Sequence, residues 1–230
     1  IQRVPDLMSY IQTIVDEKKE AGFYILTDSQ QFDLLENISQ SLAGRTALVR
    51  LLPFTMAEAY ADSLKDISIN KVLHTGFYPR IFDQNLETTD AMMFYVNTYV
   101  ERDLRILINV KDLSAFEIFL KLCAGRIGQV VNLSSLGNDC GVNHKTIKNW
   151  LSVLETSYII KILRPYYQNY NKRLIKSPKL YFLDTGLASF LLGIENERQM
   201  ETHPSKGALF ESLVVSEILK QRFNKGKTDN

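Results

Sequence analysis

The stretch from Phe23 to Pro53 constrains the fold of this chain more than any other. An apolar run, Phe23–Leu26, ends in the small polar residues Thr27, Asp28 and Ser29. A segment with leucine and isoleucine at helical spacing follows, closes on Ala43-Gly44-Arg45, and gives way to a second apolar run, Thr46–Leu52. That is the order strand, polar tip, helix, strand, as in a parallel α/β sheet. Ahead of it, Pro5-Asp6 opens a helix with Leu7, Tyr10, Ile11, Ile14 and Val15 on one face and Lys18-Lys19 in the last turn. This helix and the strand at 23–27 form the return half of a βαβ crossover whose first strand would precede Ile1, so the sheet is expected to be incomplete. In open parallel sheets ligands bind beyond the carboxyl ends of the strands, which puts Thr27–Ser29 where chemistry is expected.

After Leu52 the pattern turns helical. Thr55 caps a short helix over 56–63, a second runs Ile69–Thr75 and stops at Gly76, a long one runs from Thr88 to about Leu107, and another runs from Lys111-Asp112 to Cys123. From Asn132 the periods shorten. Helix 133–140, the turn Gly141-Val142-Asn143 and helix 144–156 read as a helix-turn-helix with Trp150 as a core anchor. Two β-rich runs, 158–163 and 180–183, follow on either side of the basic loop 166–178, the pattern of a winged helix.

Net charge of +1 hides an asymmetry. Residues 143–180 hold eight Lys or Arg and one acid, Glu155, whereas the rest of the chain is acidic by six. Concentrated positive charge attracts polyanions through counterion release. Lys145, Thr146, Lys148 and Asn149 are expected at the front of the second helix, where lysine and threonine suit phosphates and asparagine can read adenine. Lys172 and Arg173 would reach from the wing. Double-stranded DNA is the expected partner; packing, subunit contact or autoinhibition is the alternative use of such a module.

Other chemistry is excluded or weak. His74, His144 and His203 lack zinc-ligand spacing with Cys123 or Cys140. Two cysteines build no disulfide framework, which suggests a reducing, cytoplasmic setting. The longest apolar stretch, 182–194, contains Asp184 and is too short to span a bilayer. Gly226-Lys227-Thr228 lacks the leading glycine of a phosphate loop, Gln221 standing there, and follows a helix-like run.

Ser41-Leu42-Ala43-Gly44-Arg45, Gly76-Phe77-Tyr78-Pro79-Arg80, Glu101-Arg102-Asp103, the run Lys176–Ala188 and Gly207-Ala208-Leu209-Phe210-Glu211 together resemble a predicted AAA+-type ATPase family of bacteria and archaea, whose members carry a C-terminal domain of unknown function. The resemblance implies an α/β architecture with four parts. Residues 1–54 would be the distal part of a P-loop-type core, 55–128 a helical lid, 129–194 the winged helix, and 195–230 the start of a nuclease-like domain. It implies that Ser29 senses the γ-phosphate or its attacking water; read alone, Thr27–Ser29 turn the chain and cap the next helix. It implies that Arg45 is an arginine finger acting within a protomer or across a homo-oligomer boundary; read alone, Arg45 suits a helix C-terminus. Glu211 would be a remnant of the nuclease-like module, with no metal site of its own. Ile1–Pro5 resembles the segment just after the family's magnesium-binding Asp-Glu pair. ATP and Mg would therefore belong to the intact parent, with no cofactor expected in this fragment. A non-enzymatic regulator that binds DNA or protein is the competing reading.

Overall fold

The computed structural model describes residues 7–18, 20, 22–27, 44–47, 49–61, 63, 65–99, 112–166 and 177–227. The chain divides into two compact units, 1–49 and 50–230.

In the first unit, α1 (Leu7–Lys18) buries Met8 and Ile11, and Val15 and Leu26 pack on them. Of the face the spacing gave, Ile11 and Val15 turn inward beside Met8, whereas Leu7 and Tyr10 are exposed. The apolar run beginning at Phe23 behaves differently: no strand occurs among the described residues of this unit, and Ile25 is 88% exposed. An extended segment becomes a strand only when a neighbour takes up its N–H and C=O groups. The expected parallel P-loop-type sheet is therefore not part of the described structure.

The second unit is mostly helical around a small antiparallel sheet. Its helices start where their caps dictate. Thr55 and Glu58 form a reciprocal capping box at α2 (Met56–Tyr60). Ser68 caps α3 (Ile69–Thr75), Tyr78 precedes the proline-led α4 (Pro79–Asp83), and Glu87 caps α5 (Thr88–Tyr95). α5 continues as a π-helical turn over 96–99; the rest of the long helix expected to Leu107 lies outside the described residues. The side chains of Asp112, Asn132 and Asn143 accept N–H bonds at the starts of α6 (Leu113–Gly125), α7 (Leu133–Cys140) and α8 (His144–Thr156).

Strands β1 (Ile160–Leu163) and β2 (Lys179–Phe182) pair antiparallel, Ile160 opposite Phe182 and Leu163 opposite Lys179. On its other edge β2 meets the strip after α6. Gly128 N–H donates to the Leu180 carbonyl at 2.8 Å, and Leu180 N–H to the Gln129 carbonyl at 3.2 Å. Beyond Leu180 a serine takes over. The Ser212 hydroxyl accepts from Phe182 N–H (2.9 Å) and donates to the Phe182 carbonyl (2.8 Å), closing the sheet edge with a helix side chain. Asp184 caps α9 (Thr185–Leu191), Asn196 caps α10 (Glu197–Thr202), and α11 (Lys206–Phe223) ends the described fold.

One core runs through this unit from Tyr60 to Leu213. α9 lies at its centre, packed on α3, α5, α6, α11 and β2. Trp150 is the anchor its position suggested, 5.2 Å from both the Phe116 and Phe119 ring centroids. No helix among the described residues is long and apolar enough to cross a membrane.

His74, in α3, is buried at 8% exposure. Burial holds its pKa below the ordinary 6.5, opposed by Glu87, the Glu195 backbone and Glu197. A depressed folded-state pKa gives stability that is present above the unfolded value and lost as pH falls through the folded one. The thermal midpoint should therefore fall as pH drops below about 6.5. His74→Gln should flatten that part of the curve, as measured by melting at stepped pH; an unchanged slope would remove His74 as its source.

Candidate functional site

α7, the turn and α8 stand where the helix-turn-helix was expected. Gly141 takes the left-handed conformation (φ 70°) that ends α7. A second glycine, passed over in the sequence, sets how closely the pair approaches. A Cβ on Gly137 would lie 2.6 Å from the Val142 carbonyl oxygen, to which no side chain can yield. Ile147, Trp150, Leu151 and Leu154 face inward from α8. His144, Lys145, Lys148, Asn149 and Ser152 are exposed, so three of the four expected contact residues on this helix share its open surface. Thr146 is half-buried. Its N–H and its hydroxyl both donate to Asn143 Oδ1, at 2.9 and 3.2 Å, which gives it a capping role. Lys172 and Arg173 lie outside the described residues.

The charges along α8 run against its dipole. The first turn, the positive end of the dipole, carries Lys145 and no acid, and Lys148 follows in the next turn. The last turn carries Glu155 and no base. Each such placement opposes helix formation by about 0.3–1 kcal/mol. Glu155 is answered by Lys161 at 3.3 Å and by Ile162 N–H at 3.1 Å. No salt-bridge partner to Lys145 or Lys148 occurs among the described ion pairs.

Arg45 sits just past Gly44 in the first unit and grips Asp16 of α1 with both arms. Nε donates to Oδ1 at 2.5 Å and an Nη to Oδ2 at 3.1 Å. Asp16 raises the arginine pKa further, so the guanidinium is a permanent cation. Ser29, the other residue expected at a phosphate, lies outside the described residues, as do Asp28 and Arg102.

Glu211 accepts from the Tyr181 hydroxyl at 2.6 Å and from Lys179 Nζ at 3.2 Å, and these two donors hold its carboxyl below the usual range. Its role in the described structure is to tie α11 to β2. Among the described residues no three His, Cys, Asp or Glu side chains converge to hold a metal ion.

A polar hub lies elsewhere, at the N-terminus of α9. Asp184, 2% exposed, accepts from Phe77 N–H at 2.7 Å and Leu187 N–H at 2.8 Å. Burial pushes its pKa up, while Leu187 N–H and the nearby Lys220 ammonium pull it back. Lys220, 1% exposed, donates to the Phe54 carbonyl at 2.7 Å and lies 3.9 Å above the Phe77 ring. Gly76 and Gly186 let the two helix ends meet around this carboxylate. Asp184 was visible in the sequence as one charge inside the apolar run 182–194. Lys220 was not, because nothing local to it in the sequence marks a lysine for burial.

Residues 67–198 match the family model described as Domain of unknown function (DUF8612), and residues 1–60 match an AAA domain. Two uncharacterized proteins, of Mycobacterium tuberculosis and Mycobacterium bovis, are each 29% identical over 217 residues, covering 94% of this chain and 48% of their own length. The chain thus spans about half the length of these relatives. No solved structure matches it.

Proposed function

Since the chain belongs to the family of the Domain of unknown function (DUF8612), and carries an AAA-matching segment before it, we propose that it is part of an AAA-type ATPase whose basic module binds duplex DNA. The observation that carries the DNA half is the inverted charge of α8: exposed lysines held at the helix end where an anion belongs. A helix that violates its own dipole on an open face is best explained by a polyanion that completes it. The order α6, strip 128–131, α7, α8, β1, β2, with the basic loop between the last two, supports reading the module as a winged helix. Lys145 and Lys148 take phosphates, and Asn149 faces the groove. Lys172 and Arg173 add the wing contact.

For the ATPase half, the AAA match and the bidentate presentation of Arg45 support the reading. In the longer protein ATP and Mg would occupy the strand-end site, with Ser29 at the γ-phosphate. Arg45 would exchange Asp16 for phosphoryl oxygens, within a protomer or across a homo-oligomer boundary. Glu211 and α11 would open a nuclease-like module.

Duplex DNA titrated at two salt concentrations tests the DNA half. Affinity should fall steeply with salt. Lys145→Ala and Lys148→Ala should each weaken binding across sequences and reduce the log–log salt slope by about one. Affinity indifferent both to salt and to Lys145→Ala would end the DNA reading.

A further inference from the structure

The cations of 143–180 fall into two kinds once the chain is folded. Of the eight Lys or Arg there, Lys172, Arg173 and Lys176 lie outside the described residues. Two others are engaged within the fold. Lys161 Nζ lies 3.3 Å from Glu155 Oε1, and Lys179 Nζ lies 3.2 Å from Glu211 Oε1. Glu155 also accepts from Ile162 N–H at 3.1 Å and Glu211 from the Tyr181 hydroxyl at 2.6 Å, so a second donor fixes each carboxylate in place. Each pair is neutral and brings no excess of positive charge to the surface. Lys145, Lys148 and Arg164 remain. All three are exposed, and no ion pair to any of them occurs among the described residues.

Arg164 is the one of these that sequence spacing passes over, because it lies neither in α8 nor in the loop 166–178. It follows β1 directly, two residues beyond the bond that clasps Ile162 to Glu155 of α8. Tyr181 and Lys179 turn toward α11, where both reach Glu211. Phe182 and Leu180, opposite Ile160 and Ile162, alternate with them, so Ile160 and Ile162 face the other side, into the core that α8 packs on. Pro165 keeps the residue before it in extended backbone, which carries the alternation one step further and sets Arg164 on the α8 side.

We propose that Arg164 is a phosphate contact of the duplex-DNA surface, at the base of the wing, and that Glu155 and Glu211 hold Lys161 and Lys179 out of that surface. A guanidinium offers a phosphate two parallel N–H donors and keeps its charge at any working pH. This contact rests on the DNA reading of α8 and lies outside that helix.

Arg164→Ala, Lys161→Ala and Lys179→Ala each remove one positive charge, so net charge does not separate them and placement does. The whole chain is titrated with a mixed-sequence DNA duplex at stepped salt. Arg164→Ala should weaken binding about three- to tenfold and lower the log–log salt slope by about one, and Arg164→Lys should keep the slope. Lys161→Ala and Lys179→Ala should each change affinity less than about twofold and leave the slope within about 0.3 of the wild type. An unchanged slope in Arg164→Ala, or equal losses in all three alanine variants, would overturn the proposal. If Lys145→Ala still lowers the slope in that case, the DNA reading of α8 survives; a duplex that binds at no salt concentration removes both.

Discussion

Asp184→Ala is expected to destabilise the unit 50–230 by about 4 kcal/mol, the range seen when one member of a buried charge pair is removed. The carboxylate is the acceptor for Phe77 N–H and Leu187 N–H, at 2.7 and 2.8 Å, and the alanine leaves both donors buried without a partner. It also removes one of the negative charges that offset the burial of the Lys220 ammonium, 1% exposed, and leaves Glu217 at 3.4 Å as its ion-pair partner. For a unit of this size the thermal midpoint should drop by roughly 8–16 °C. Asp184→Asn keeps one acceptor oxygen and should fall between. The charges themselves are not a source of stability, because burial works against the ionised form of both groups. Their interaction should therefore appear as non-additivity: the double variant Asp184→Asn, Lys220→Met should lose less than its two parts together. Additive losses in denaturant melts would show that the two groups act separately.

Gly76→Ala should be about as damaging, for an unrelated reason. The residue has φ 71° and ψ −150°, a region that is essentially glycine's own. A Cβ there would also lie 2.6 Å from Asp184 Oδ1 and 2.6 Å from Gly186 N. Backbone strain of roughly 1–3 kcal/mol adds to overpacking of roughly 1–3 kcal/mol, and the displaced atoms include the carboxylate on which the first prediction rests. Gly141 provides the control: its φ is 70° with ψ 24°, and nothing lies within 4 Å of the added Cβ. Gly141→Ala should lose about 1 kcal/mol. Equal losses at the two glycines, measured by denaturant midpoint, would mean that close approach at Gly76 matters little.

α2, α3 and α5 to α8 and their starts were legible because their causes are local; α4, α9 and α10 were not expected. Thr55 with Glu58, Asp112, Asn132 and Asn143 each satisfy N–H groups two or three residues ahead, so the sequence carries both partners of every cap. The α7–α8 pair was legible for the same reason: an apolar face at helical spacing and Gly141 in the turn. The basic front of α8 could also be read directly, although the capping bond of Thr146 and the close approach at Gly137 could not. The strand expected at 23–27 depended on neighbours, and apolar composition alone cannot supply a hydrogen-bonded ladder.

Spacing and capping, which act over a few residues, let the sequence determine α2, α3 and α5 to α8, the two β-rich runs and the charge asymmetry of 143–180. The tertiary structure decided where the polar interior lies. Ser212 finishing the edge of β2, Asp184 between Phe77 and Leu187, and Lys220 on the Phe54 carbonyl join residues 30 to 166 positions apart. On a helix drawn alone, Ser212, Ser216 and Lys220 look like solvent-facing residues. They are buried because the sheet edge and the chain entering α2 need their donors and acceptors there. That requirement exists only once the chain has folded around them.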